Sequence, residues 1–186
     1  MKKYLIPAFF IMAAAQWYLP LSMIRDMDRV LAGGQEIRLV IRPFDPADPF
    51  RGNYLQLLFE HDFVEQVYDT TWNAGERVFI SLHEGKDGLS RPVRASCEKP
   101  ESGTLFLEGR AVYFIPDAQK LYFSWPFDRY YVNEEAAPRM EEALQNLTAG
   151  DSLRAWALLN VSDGQAVLRD VVVEGRSLRG LADEMR

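Results

Sequence analysis

Residues 43–60 read P-F-D-P-A-D-P-F-R-G-N-Y-L-Q-L-L-F-E, and the change of character halfway along organises the rest of the chain. Pro43, Pro46 and Pro49 stand at every third position. Each fixes its own φ and pushes the preceding residue towards an extended conformation, so the spacing predicts a short polyproline II run. Asp45, Asp48 and Arg51 then share one edge, roughly 9 Å apart at about 3.1 Å per residue, while Phe44 and Phe50 take another. After Gly52 the pattern becomes Tyr54, Leu55, Leu57, Leu58 and Phe59, a strand with one strongly apolar face. A stiff charged connector thus delivers the chain through a glycine turn into a buried strand.

Strand patterns surround this stretch. Upstream, Ile37, Leu39 and Ile41 alternate with Arg38, Val40 and Arg42. Downstream, two segments share one grammar of glycine, strand, Asp-Gly turn and strand: Gly75 to Val93 around Asp87-Gly88, and Gly150 to Val171 around Asp163-Gly164. Both read as β-hairpins. Thr104–Glu108 and Arg110–Ile115 are two more β-rich runs around Gly109. Leu121 to Tyr131 carries Tyr122, Phe123, Trp125, Phe127, Tyr130 and Tyr131, of which strand alternation buries half. One short helix is expected at Glu135–Leu147, where Met140, Leu144 and Leu147 recur at helical spacing and Gly150 can end it. The polar end, Arg176 to Arg186, reads as frayed or briefly helical.

The N-terminus is of another kind. Residues 4–24 contain no charged side chain, with Lys2 and Lys3 before them and Arg25 and Asp26 after. Twenty-one residues at about 1.5 Å each reach roughly 31 Å, enough for a bilayer core of about 30 Å. The expectation is a single transmembrane helix, with Trp17 and Tyr18 at an interface. The alternative is a cleaved secretory signal with its cleavage site near Ala15. Either way the basic residues ahead of the segment keep the N-terminus cytoplasmic and export the C-terminal remainder of the chain. The chain therefore divides into an anchor and juxtamembrane segment, residues 1–32, and a β-rich domain, residues 33–186.

At 186 residues and 48% hydrophobic content, one globular domain plus such a segment is the natural reading. Residues 33–186 hold 17 basic and 25 acidic residues, an acidic balance that speaks against nucleic acid as a partner. Cys97 is the one cysteine, so no intramolecular disulfide forms.

Catalytic signatures are missing. His83-Glu84 opens like a zinc protease motif, but Asp87 stands where the second histidine is required. Asp45, Asp48 and Asn53 have the oxygen chemistry of a calcium site; bonding to turn amides and to Arg51 accounts for the aspartates better, and no metal or cofactor is expected. Glu134 and Glu135 are neighbours, diverging by about 100° on a helix, and suit a helix start better than acid/base work.

Three patches carry a resemblance. Asp45, Pro46, Asp48, Arg51, Gly52, Tyr54, Leu57 and Phe59 resemble the signature of the bacterial GDYXXLXY family, with Asn53 where the signature has Asp and Phe59 where it has Tyr. The second patch is Arg129 to Glu135, similar to the family's aromatic-valine-x-Glu segment. The third is Gly164 to Asp170. The resemblance implies a membrane-anchored envelope domain of unknown activity, encoded beside multi-spanning membrane proteins. It points to a non-enzymatic accessory domain for such a partner, held at the inner membrane by residues 4–24. The candidate ligand or partner surface is Asp45, Asp48, Arg51, Gly52, Asn53 and Tyr54, with Arg129 and Glu134 opposite. Two alternatives stay open: a small-ligand or hydrolytic site around Asp45, Asp48, Arg51 and Tyr54, and cell-wall glycan binding by the Tyr122–Tyr131 run.

Overall fold

A computed structural model describes residues 5–42, 54–65, 67, 71–132, 138, 140 and 155–180. Helix α1 (Leu5–Gly33) leads into eleven strands: β1 (Gln35–Ile41), β2 (Tyr54–Gln56), β3 (Phe63–Val64), β4 (Arg77–Glu84), β5 (Ser90–Ser96), β6 (Phe106–Ile115), β7 (Lys120–Ser124), β8 (Arg129–Tyr131), β9 (Ala155–Ser162), β10 (Gln165–Val173) and β11 (Arg176–Ser177). Nine of them form one sheet in the order β11-β10-β9-β1-β5-β4-β6-β7-β3, and β2 and β8 form a separate pair.

Alternation explains the main sheet. Ile37, Leu39 and Ile41 of β1, Val78, Ile80 and Leu82 of β4, Leu107 and Ala111 of β6, and Ala155, Ala157, Leu159 and Val161 of β9 all enter one core. Residues two apart share a face of a strand, so a single apolar set per strand suffices. Both expected hairpins are present. In the β9–β10 turn Asp163 and Gly164 have φ of 52° and 84°, and Ser162 pairs with Gln165, the two-residue geometry that matches strand twist. The sheet curls far enough for this turn to meet β6, where the Glu108 amide donates to the Gly164 carbonyl at 2.9 Å.

Gly109 does not separate two strands. It lies within the continuous β6, where an added Cβ would sit 2.9 Å from Ile80 Cδ1 and 3.0 Å from the Ser124 carbonyl. It is a close-approach glycine. The C-terminal segment is also firmer than its polarity suggests. Arg176–Ser177 pairs with Val172–Val173, and Leu178 is fully buried. The helix expected at Glu135–Leu147 lies outside the described residues except for Pro138 and Met140; both are helical, and Met140 is buried.

The expected single transmembrane helix is corrected by the structure. Helix α1 has 29 residues with Pro20 inside it, but among the described residues no helix is long and apolar enough to cross a membrane. From Phe9 onward the apolar run is diluted by Gln16, Pro20 and Ser22. The charged Arg25, Asp26, Asp28 and Arg29 then belong to the same helix. The base of α1 packs on the sheet instead. Val30 is buried, the Asn160 side-chain amide donates to the Leu31 carbonyl at 2.8 Å, and the Gly34 amide donates to Val30 at 2.9 Å.

Gly34 makes that hand-over possible. A Cβ there would lie 2.4 Å from the Val30 carbonyl oxygen and 3.0 Å from the Val161 amide nitrogen and carbonyl oxygen. These are backbone atoms that no rotamer change can move. Gly34→Ala is expected to lower stability by about 2 kcal/mol, the range for overpacking a tight site. Hydrogen exchange should also speed up in the last turn of α1. Unchanged exchange there would mean that the helix base is not fixed by this contact.

Candidate functional site

The signature strand is caught between two others. β2 pairs antiparallel with β8, Tyr54 opposite Tyr131, Leu55 opposite Tyr130 and Gln56 opposite Arg129. Leu57 donates its amide to the Asp128 carbonyl at 2.8 Å, and Glu60 donates to the Val40 carbonyl at 3.0 Å. Leu55, Leu57 and Phe59 point into the core. The Phe59 ring meets Trp125 and Phe127 edge-on, at 6.4 and 5.6 Å between centroids. The leucine and the aromatic residue of the signature are therefore scaffold.

Tyr54 faces the other way. The Arg129 guanidinium lies over its ring at 5.0 Å, and Tyr131 leans on it at 5.8 Å. Arg129 is held above its usual basicity, chiefly by a side-chain hydrogen bond with Tyr131. Of the residues expected to form a site, the structure brings together Tyr54 and Arg129. Asp45, Asp48, Arg51, Gly52, Asn53 and Glu134 lie outside the described residues. Among the described residues, no group of three or more His, Cys, Asp or Glu side chains gathers closely enough to hold a metal.

Directly behind this surface is a network that sequence reasoning missed. Tyr130, 2% exposed, donates its hydroxyl proton to Asp170 Oδ1 at 2.9 Å and accepts from Arg179 Nε at 2.8 Å. Ser177 Oγ donates to Asp170 Oδ2 at 2.5 Å, and the Val171 amide donates to Asp170 Oδ1 at 2.8 Å. A β-bulge positions the carboxylate: Leu168 is opposite Leu159, yet Asp170 is opposite Leu158. The extra residue re-aims the side chain, a common use of bulges. Burial, followed by the charge of Asp170, pushes the Tyr130 phenol far above its ordinary pKa, so it stays protonated. The network is a clasp between the small sheet and β10, with no activated nucleophile. Its partial signal was visible, because Tyr130 and Asp170 fall in the second and third resemblance patches. The three patches meet here, through Leu55 opposite Tyr130 and Tyr130 bonded to Asp170.

The aromatic run is more buried than alternation allows. Phe123, Trp125, Phe127 and Tyr130 are all core. Tyr122 is half-buried, stacked on Tyr113 at 4.2 Å, and Tyr131 alone of the six is fully exposed at 64%.

The family model described as GDYXXLXY protein matches residues 16–171, a span that contains all three patches. No curated protein and no solved structure matches the chain. With its signature strand, its Tyr130 segment and its bulged Asp170 strand joined in one structural unit, the chain belongs to the GDYXXLXY family.

Proposed function

We propose that this protein is a non-enzymatic accessory subunit of the bacterial envelope that binds a multi-spanning membrane protein through the exposed apolar surface of α1. The observation that carries the reading is the surface of α1. Phe9, Phe10, Ile11 and Met12 are all exposed, as are Trp17, Tyr18, Leu19, Met23 and Ile24. Four consecutive residues at about 100° each cover every side of a helix. A helix that docks in a single groove needs only one apolar stripe, whereas one that is apolar all round is buried among other elements. A partner surface that covers α1 supplies that environment, and the partner class is the one the family resemblance implies. The β-domain supports this arrangement by fixing the base of α1 through Val30, Gly34 and Asn160.

The test uses photo-crosslinking residues placed at Phe10 and at Leu19, which lie on opposite faces of the helix at about 100° per residue. The full chain is expressed in its native host and irradiated in intact cells. The expected result is one discrete adduct, common to both positions, with a multi-spanning membrane protein. The reading is overturned by adducts from one face only, by a water-soluble partner, or by no discrete adduct at all.

A further inference from the structure

Strands β1 and β5 run parallel but share a single register pair, Leu39 with Ser90. On either side of that pair the ladder opens, and Pro92 in β5 has no amide proton to extend it. Beside this junction lies a cleft of about 610 Å³, lined by Arg38, Val40, Glu60, Leu89, Arg91 and Trp156, with Asp87 and Ala155 completing it. That volume falls in the range of small-molecule sites, roughly 300–1,000 Å³.

The chemistry of the lining is specific. Val40 forms the middle of the floor, with Trp156 opposite it on β9 and Glu60 bonded to its carbonyl. Arg38 stands two residues before Val40 on the same face, about 7 Å away at strand spacing. Two of the four charged groups are already engaged. Arg91 meets Asp87 with two hydrogen bonds, 3.1 and 2.5 Å, and this draws the Asp87 carboxyl down to about 2. Arg38 is different. Its one ionic partner among the described residues is Glu36 at 3.6 Å, beyond hydrogen-bond length, and Glu36 is closer to Arg169 at 3.2 Å. A half-exposed guanidinium with no hydrogen bond of its own among the described residues thus lines the same cleft as Val40, Leu89 and the Trp156 indole.

We infer that this cleft binds a small amphipathic monocarboxylate, its carboxylate on Arg38 and its aromatic or branched apolar body against Val40, Leu89 and Trp156. Guanidinium and carboxylate match in planar, two-bonded geometry. Polyanions such as nucleotides are disfavoured, because Glu60 and Asp87 also line the cleft and Asp87 already takes Arg91. The site is separate from α1 and stands whether or not the helix has the role proposed above.

Titration calorimetry on the full chain tests it, with indole-3-butyrate as the probe and the neutral indole-3-butanamide as its match. The acid is expected to bind at least about tenfold more tightly than the amide, the size of a lost charged hydrogen bond. Arg38→Met should abolish that preference. Glu60→Gln should keep or strengthen acid binding, and Arg110→Met, on β6, should leave it unchanged. Should Arg38→Met misfold by circular dichroism, a salt titration of the unaltered protein replaces it, and the preference for the acid should shrink as ionic strength rises. Equal binding of acid and amide, a preference that survives Arg38→Met or ignores salt, or no binding of either probe overturns the assignment.

Discussion

Asp170→Ala is expected to destabilise the folded protein by about 2 kcal/mol, the range for removing the acceptor from a part-buried hydrogen-bond network. The carboxylate accepts from the Tyr130 hydroxyl, the Ser177 hydroxyl and the Val171 amide. Deleting it leaves a buried phenol donor without its acceptor, while Arg179 still donates to that phenol. Tyr130→Phe removes one donor and keeps the carboxylate bonded twice, so it should cost about 1 kcal/mol. The double variant should fall well short of the sum, because both changes act on one network. Urea unfolding of the four proteins measures this. A cost below about 1 kcal/mol for Asp170→Ala would show that water replaces the carboxylate and that the clasp contributes little. The same network predicts behaviour in alkali. The Tyr130 phenol is raised above its ordinary value, first by burial and then by Asp170. Its contribution is therefore fully present below the unfolded value of about 10 and is lost as pH rises through the folded one. Ultraviolet titration should find one tyrosine ionising after the exposed ones, and earlier in Asp170→Ala.

Tyr130 also shows where sequence reading stops. The alternation of Ile37, Leu39 and Ile41 and the Asp163-Gly164 turn are local signals, and the β1 face and the β9–β10 hairpin come from them directly. Burial of Tyr130 has no such local source. Leu121, Phe123, Trp125 and Phe127 keep one phase, which would bury Arg129 next. Residues 125–128 leave the strand conformation between β7 of the main sheet and β8 of the small pair. The phase therefore shifts by one, and such a slip exchanges the two faces. Arg129 emerges beside Tyr54, and Tyr130 turns inward to a carboxylate 40 residues away. Only tertiary pairing brings those two together. The cleft at Arg38 is equally non-local, since residues of β1, β5 and β9 line it together. Gly109 misleads for a related reason. A glycine required by a neighbouring strand's side chain carries the same letter as one required by a turn. Helix α1 was legible as an apolar stretch, whereas its continuation through Arg25–Arg29 to a base seated on β9 depended on Val30 finding a pocket.

Phe59→Ala is expected to cost about 3–5 kcal/mol, the range for emptying a large aromatic site, whereas Tyr54→Ala should cost about 1 kcal/mol, as for a half-buried residue outside the core. The two residues belong to one signature yet face opposite ways. Phe59 lies against Trp125 and Phe127 and bridges to Ile41 at the end of β1. Removing its ring loosens the junction where the small pair meets the main sheet. Tyr54 contacts Arg129 and Tyr131 at the surface, where a lost cation–π contact is worth about 0.5–1 kcal/mol. Chemical denaturation of both variants, with hydrogen exchange followed at the Leu55 and Leu57 amides, separates the roles. Phe59→Ala should raise exchange at both amides, and Tyr54→Ala at neither. If Tyr54→Ala proves as costly as Phe59→Ala, the tyrosine is scaffold as well, and a functional surface must be sought away from the β2–β8 pair. If the costs divide as expected, the signature joins two demands on a single short strand. Its inward residues build the junction, and its tyrosine is left half-buried beside an arginine for reasons that stability does not supply.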